Sequence, residues 1–200
     1  QLDAVISKAL DEVDQAMSTY KPDSEISRFS KSSTGISVSA PSFYVISVAL
    51  DIAKQTNGAF DPTVMPLVNM WGFGPETNSP SAPTDAAIAS AMKICGWQHL
   101  QLSNDSFFVG KDIAALEMDL SAIAKGFGAD NVASALEASG VSNYMIEVGG
   151  EVRVRGNSGK QRPWRLAVDS PNAKNYARVI ELTSGAIATS GDYRNMRIVD

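Results

Sequence analysis

The sequence predicts an α+β fold, with helices early in the chain and a mainly antiparallel sheet later. Apolar residues recur at three- and four-residue spacing in the first half, which is typical of amphipathic helices. Short alternating runs separated by Gly and Pro turns follow in the second half, which indicates strands. The chain has 200 residues, of which 44% are hydrophobic and 20% charged, so we expect a single domain over residues 1–200.

Helix signals occur at five places along the chain. Residues 2–18 carry an apolar stripe that begins with Leu2, Val5 and Ile6. Pro41 suits the first turn of a helix over residues 41–57, and Thr84 caps one that ends near Gly96. A further helix is predicted over residues 121–139, and Ser24 can open a short one after the turn at residues 21–24.

Strand signals are concentrated after residue 98. The predicted strands are HLQLS, SFFVG, ALEMDL, NYMIEVG, EVRVRG, WRLAVDS, ARVIELT and GAIATS. The last residues, YRNMRIVD, read as a strand that is entered and then cut. We therefore expect the sequence to be truncated at its C-terminus.

Composition excludes several functional classes. The chain has 22 acidic and 17 basic residues, a net charge of −5 and no basic run, so it is a poor candidate for nucleic-acid binding. No apolar stretch reaches the roughly 20 residues that span a bilayer. One cysteine, Cys95, excludes a disulfide framework and a cysteine zinc cluster, and its helix-like run favours a buried structural thiol. One histidine, His99, makes a Ser-His-Asp hydrolase unlikely and is predicted on an exposed strand face.

Two segments in the first half could carry chemistry. Tyr20 precedes PDSEIS and is either part of a surface turn or an aromatic platform that stacks a planar ring. Phe60-Asp-Pro-Thr63 is followed by Trp71-Gly-Phe-Gly74, where glycines let a ligand approach the backbone between aromatic rings. A packed loop with core aromatics explains the second pattern equally well.

Three segments in the second half are further candidates. The run from Asp119 to Gly128, DLSAIAKGFG, enters a helix whose N-terminus favours phosphate, and Lys125 adds a positive charge. It matches neither the P-loop nor the dinucleotide fingerprint, and a helix start with packing glycines is the alternative. Gly149-Gly150 lies between alternating runs, as either a hairpin turn or a strand junction with room for a ligand. The TSGDY segment at residues 189–193 is either a turn or a cluster of hydroxyl and amide groups that faces phosphate.

Together and in this order, five segments closely resemble the ApbE family of FAD:protein FMN transferases, once labelled thiamine-biosynthesis lipoproteins. They are YKPDSEISRFS, GAFDPTVMPLVNMWGFG, MDLSAIAKGFGADNV, NYMIEVGGEVRVRG and ATSGDYRN, and they span residues 20 to 195. The resemblance implies a T-fold-like architecture and a Mg²⁺-dependent enzyme. Such an enzyme moves FMN from FAD to a Thr or Ser hydroxyl of a flavin-carrying redox-pump subunit and releases AMP. It also implies the bacterial periplasm, with a lipid anchor to the inner membrane.

The resemblance assigns roles to individual residues. The backbone carbonyl of Ala122 is implied as a metal ligand, and Lys125 would neutralise phosphate charge. Contacts to the flavin dinucleotide are implied for Tyr20, Trp71, Glu147, Gly149, Gly150, Ser190 and Asp192. Two further readings stay open: an FAD pyrophosphatase that gives FMN and AMP, and a non-catalytic FAD-binding protein.

The sequence departs from the family pattern in three places. The family's later motif with a catalytic His, Asp-Pro and Thr-Gly has no match, so the remaining metal ligands are expected beyond Asp200. His99 lies in a different context and does not replace that histidine. The family's first strand is also absent ahead of Gln1, and Ser121 stands where the family has glycine, which leaves the Ala122 carbonyl unaffected.

Overall fold

The computed structural model describes residues 1–75, 82–169 and 176–191. The chain divides into two compact units. The first unit comprises Gln1–Leu10 and Lys125–Asp200, and the second comprises Asp11–Ala124. The prediction of a single domain over residues 1–200 stays a prediction.

Helices dominate the early part of the chain and antiparallel strands the later part, which confirms the predicted α+β class. Along the described residues the helices are α1 (Leu2–Met17), α2 (Glu25–Lys31), α3 (Ala40–Gln55), α4 (Met65–Met70), α5 (Asp85–Met92) and α6 (Ser121–Ala138). The strands are β1 (Gly35–Ser37), β2 (Leu100–Ser103), β3 (Phe108–Lys111), β4 (Tyr144–Val148), β5 (Glu151–Arg155), β6 (Trp164–Asp169), β7 (Tyr176–Leu182) and β8 (Ser184–Ile187). Among the described residues, none of the helices combines the length and apolar character needed to cross a bilayer.

The second unit packs helices against a three-stranded antiparallel sheet in the order β1-β3-β2. Ser24 caps α2 as predicted, since its hydroxyl accepts a hydrogen bond from the Ser27 amide at 3.0 Å. The core includes Phe29, Ile46 and Val109, which are fully buried. This unit also buries a charge, because Lys111 at the end of β3 is only 5% exposed.

The Lys111 ammonium has partners on three sides. It donates to the carbonyl oxygens of Leu116, at 2.6 Å, and Ser30, at 3.2 Å. It also lies 4.7 Å from the centroid of the Phe29 ring, a cation–π distance. Burial lowers the pKa of Lys111, and Glu117 opposes that shift. Lys111 therefore links the segment after β3, through the Leu116 carbonyl, to Ser30 and Phe29 of α2.

The prediction of a strand at ALEMDL is wrong. Residues 115–120 have no regular secondary structure. Leu116, Met118 and Leu120 are nevertheless fully buried, so the alternation in this segment is real. The alternation arises because every second side chain of this segment is buried. The Leu116 carbonyl accepts a hydrogen bond from the Lys111 ammonium and not from the backbone of a neighbouring strand.

Two predictions around residue 97 also need correction. His99 lies in a 3-10 turn, Trp97–His99, and not on a strand, because β2 begins only at Leu100. Its Nδ1 lies 2.8 Å from the Asp112 carboxylate. Cys95 lies beyond the end of α5 and is half-buried rather than buried in a helix. Its thiol donates to the Ala91 carbonyl at 3.3 Å, and burial raises its pKa.

The first unit packs α6 and the start of α1 on a sheet in the order β4-β5-β8, and it also contains a separate β6-β7 pair. Small residues on one face of α6 let it approach the strands closely. The cluster of buried residues comprises Ala9, Ala129, Val132, Ala133, Leu136, Tyr144 and Ile146. Polar groups at its rim are paired: Arg153 with Asp130, and Arg155 with Glu137, which also accepts a hydrogen bond from the Tyr144 hydroxyl.

Candidate functional site

In the first unit, the Lys125 side chain reaches the turn between β4 and β5. Its ammonium donates to the Gly149 carbonyl at 3.0 Å and lies 3.0 Å from Oε1 of Glu151. Lys125 belongs to the DLSAIAKG segment and the turn belongs to EVGGE. The structure thus brings together residues from the two segments with the most specific sequence signals.

The turn itself is a two-residue hairpin, as one of the two sequence interpretations had it. Val148 pairs with Glu151 on its two sides, and both glycines have positive φ, 58° at Gly149 and 98° at Gly150. Glycine at 149 also makes room for the lysine, because a Cβ there would lie 2.8 Å from Lys125 Cδ. The hairpin and the space for Lys125 are therefore properties of the same glycine.

Glu151 is a candidate site residue that the sequence interpretation did not select. Its side chain is only 12% exposed, whereas that of Lys125 is 45% exposed. Within the described part of the chain, its Oε2 is buried and has no hydrogen-bond partner. The available signal was its place directly after the two glycines of EVGGE, but sequence alone does not show which strand residue faces the lysine.

The other predicted residues of this unit are distributed around the turn. Glu147 is exposed on β4, on the face opposite to the buried Tyr144 and Ile146. Ser190 is exposed after the end of β8. The adjacent Thr189 approaches the turn, since its Oγ1 is 3.8 Å from the position that a Cβ on Gly150 would take. Asp192 lies outside the described residues.

In the second unit, the predicted aromatic residues are at least partly accessible. Tyr20 is 69% exposed, and its amide donates to the Ser18 hydroxyl at 3.2 Å. Trp71 ends α4 and is half-buried, just before Gly72 at φ 76°. Each ring can therefore be reached by a planar ligand, although their predicted role in stacking is not tested by these positions.

The Phe60-Asp-Pro-Thr63 segment is held together internally. Asp61 accepts hydrogen bonds from the Thr63 amide at 2.8 Å, its hydroxyl at 2.7 Å and the Trp97 amide at 3.1 Å. The Thr63 hydroxyl in turn accepts one from the Gly96 amide at 2.6 Å. Both carboxylate oxygens of Asp61 therefore accept hydrogen bonds from within the protein. For Asp61 and Thr63 this favours a packed loop over a ligand contact.

The start of α6 is set by Asp119. Its amide donates to the Pro62 carbonyl at 2.8 Å, and its carboxylate accepts from the Ser121 amide at 2.8 Å. Ala122 is exposed in the first turn of the helix, and Lys125 follows three residues later, a spacing that makes two helical residues neighbours. Serine at 121 is compatible with this start, since it supplies the amide that binds Asp119.

The family resemblance implies a magnesium ligand at the start of α6. Mg²⁺ requires near-octahedral oxygen coordination, and the Ala122 carbonyl is at most one ligand. In the described part of the chain, no group of three or more His, Cys, Asp or Glu side chains could hold a metal ion. The implied ligand at Ala122 therefore stays a prediction.

Comparison with known proteins gives a consistent result. The model of the ApbE family matches residues 1–199. A Vibrio cholerae protein named FAD:protein FMN transferase is 44% identical over 198 residues, 97% of this chain and 59% of that protein. One of the same name from Haemophilus influenzae is 40% identical over 197 residues, 94% of this chain and 57% of that protein.

Solved structures agree with these sequence relatives. The flavin transferase ApbE from Vibrio cholerae superposes with a TM-score of 0.91 at 42% identity, covering 99% of this chain and 65% of that one. The apo flavinyl transferase ApbE of Pseudomonas stutzeri gives 0.86 at 31% identity, covering 99% of this chain and 64% of that one. The chain therefore spans less than two thirds of the length of these proteins.

Proposed function

The chain belongs to the ApbE family, and on that premise we propose that the protein is an FAD:protein FMN transferase. In the proposed reaction, an acceptor Thr or Ser hydroxyl oxygen attacks the FMN phosphorus of FAD. A new P–O bond forms to the acceptor, the pyrophosphate P–O bond to AMP breaks, AMP leaves, and the hydroxyl proton is released. The observation that carries the proposal is the family match over residues 1–199, supported by relatives of that name.

We assign to Lys125 the neutralisation of the negative charge on the pyrophosphate. Its ammonium contacts Gly149 and Glu151 at the turn, and its side chain is 45% exposed, so we expect it to reach an anionic ligand. A positive charge near the phosphates lowers the cost of the negative charge that moves onto AMP as the bond breaks. The exposed N-terminal turn of α6 adds the positive end of a helix dipole.

From the family resemblance we assign binding of the planar rings to Tyr20 and Trp71, and further contacts to FAD to Glu147, Gly149, Gly150, Ser190 and Asp192. Stacking on an aromatic side chain suits a flavin or adenine ring, since both are flat and weakly solvated on their faces. The accessible Tyr20 and half-buried Trp71 are compatible with that role.

The proposal also includes Mg²⁺, which would supply electrostatic stabilisation of phosphate oxygens when bound. It rests on the family resemblance and on the exposed first turn of α6 at Ala122, and the roles given to Lys125 and the aromatic residues do not depend on it. We further propose an acceptor among flavin-carrying subunits of membrane redox pumps. The proposed location is the periplasmic face of a bacterial inner membrane, with a lipid anchor as the membrane attachment.

Intact-mass spectrometry tests the transfer directly. The purified protein is incubated with FAD, Mg²⁺ and an acceptor domain that contains the Thr flavinylation site, alongside an acceptor in which that Thr is replaced by Val. We expect a mass increase of one FMN on the Thr acceptor alone, together with AMP. AMP and free FMN without an adduct would instead support an FAD pyrophosphatase, and FAD retained without AMP would support a non-catalytic flavin-binding protein.

A further inference from the structure

The Lys125 ammonium is already oriented before any ligand arrives. An ammonium has three N–H donors and no acceptor. It donates a hydrogen bond to the Gly149 carbonyl and forms an ion pair with Glu151 Oε1, both at 3.0 Å. A lysine side chain has four rotatable carbon–carbon bonds, so two simultaneous contacts remove much of its freedom and still leave N–H donors for a ligand.

The two partners of the ammonium are held more rigidly than the side chains of a typical surface ion pair. Gly149 lies in a tight turn, and Glu151 pairs with Val148 at the start of β5, so both belong to the hairpin. The Glu151 side chain is 12% exposed, which limits the positions it can take. Surface pairs hold two mobile side chains and contribute little, whereas here one partner is fixed by the sheet.

We propose that Glu151 is a positioning residue, whose carboxylate holds Lys125 in the orientation that binds a phosphate oxygen of FAD. The inference rests on the proposed function, because it takes FAD as the ligand. Glu151 acts through Lys125: its carboxylate repels phosphate and gains its effect by keeping the ammonium in place. A purely structural ion pair would stabilise the hairpin without this dependence on the lysine.

The test is a set of FAD dissociation constants measured by flavin fluorescence at constant ionic strength. The proteins are wild type, Glu151→Gln, Lys125→Met and the double variant. Glutamine has the shape of glutamate but no charge, so it weakens the hold on Lys125 with little change in packing. Glu151→Asp is a second variant, which keeps the charge and shortens the side chain by one methylene. Glu137→Gln is the matched control, since Glu137 also forms an ion pair in this unit, but with Arg155.

We expect Glu151→Gln to raise the dissociation constant about tenfold, Glu151→Asp to raise it less, and Glu137→Gln to leave it unchanged. In the Lys125→Met background, Glu151→Gln should cause no further loss, because residues that act through one another are not additive. Wild-type or tighter binding by Glu151→Gln would overturn the positioning role, as would an undiminished effect in the Lys125→Met background. Failure of the wild type itself to bind FAD would overturn the proposed function, and the positioning role with it.

Discussion

Replacing Lys111 with methionine tests how the segment that leads into α6 is held. The change keeps a long unbranched side chain, one atom shorter, and removes the charge and all the donors of lysine. The carbonyl oxygens of Leu116 and Ser30 then lose the ammonium that binds them at 2.6 and 3.2 Å. The cation–π contact with Phe29, now at 4.7 Å, is also lost.

The expected destabilisation follows from these contacts. Leaving a buried acceptor without a donor costs about 1–3 kcal/mol, which applies in full to the buried Leu116 carbonyl and only in part to the part-buried Ser30 carbonyl. The cation–π contact adds on the order of 1 kcal/mol. Removing a buried charge and burying a methionine offset part of this loss, as replacements of buried ions by apolar side chains do. We therefore expect the free energy of unfolding of the second unit to fall by about 2–3 kcal/mol.

Urea denaturation followed by tryptophan fluorescence measures the change, since Trp71 and Trp97 both lie in the second unit. Lys31→Met is the matched control: Lys31 also donates to a carbonyl oxygen, of Pro22 at 2.7 Å, but from an exposed position. It should shift the unfolding free energy by less than about 0.5 kcal/mol. Equal stability of Lys111→Met and wild type would refute the view that the buried ammonium holds this segment.

Three other substitutions test the site and its surroundings. Gly149→Ala places a methyl group 2.8 Å from Lys125 Cδ at a φ of 58°, so we expect about tenfold weaker FAD binding in a fluorescence titration. Unchanged affinity would mean that the lysine position does not matter. Tyr20→Ala should remove a stacking interaction of on the order of 1 kcal/mol, which weakens FAD binding about fivefold. Tyr44 is similarly exposed, and Tyr44→Ala should leave FAD affinity unchanged. An equal effect of both substitutions would argue against stacking at residue 20. Hydrogen bonds from a tyrosine hydroxyl and an arginine lower the pKa of Glu137 below its usual 4.5, so its contribution to stability is present above that pH and is lost as the pH falls through the lowered value. Glu137→Gln should therefore flatten the loss of stability below about pH 4.5 in acid unfolding curves, and an unchanged slope would contradict this assignment.

Local signals in the sequence predicted most of the fold. The apolar stripe predicted α1 to within one residue, and Ser24 predicted the start of α2, because helix period and capping depend on neighbours in the chain. The glycine pair at residues 149 and 150 predicted the hairpin for the same reason, since its positive φ angles are a local requirement. Family motifs added the predicted flavin dinucleotide site, which these local rules do not reach.

Alternation did not distinguish a strand from an extended buried segment. ALEMDL alternates as a strand does, but a strand also needs a neighbour with free backbone groups, and that neighbour is decided by the fold. His99 shows the same limit, because the apparent strand starts at Leu100, after a tight turn.

The sequence by itself determined the fold class, the longer helices and the segments in which site residues lie, because periodicity and capping act between neighbouring residues. Only the tertiary structure decided that Lys125 meets Glu151 and that Lys111 is buried among carbonyl oxygens. The partners of Lys125 lie 24 and 26 residues along the chain, and Ser30 lies 81 residues from Lys111. No local preference specifies which of many charged or polar groups will be brought to an ammonium at such separations, since that choice is made by how the helices pack on the sheets.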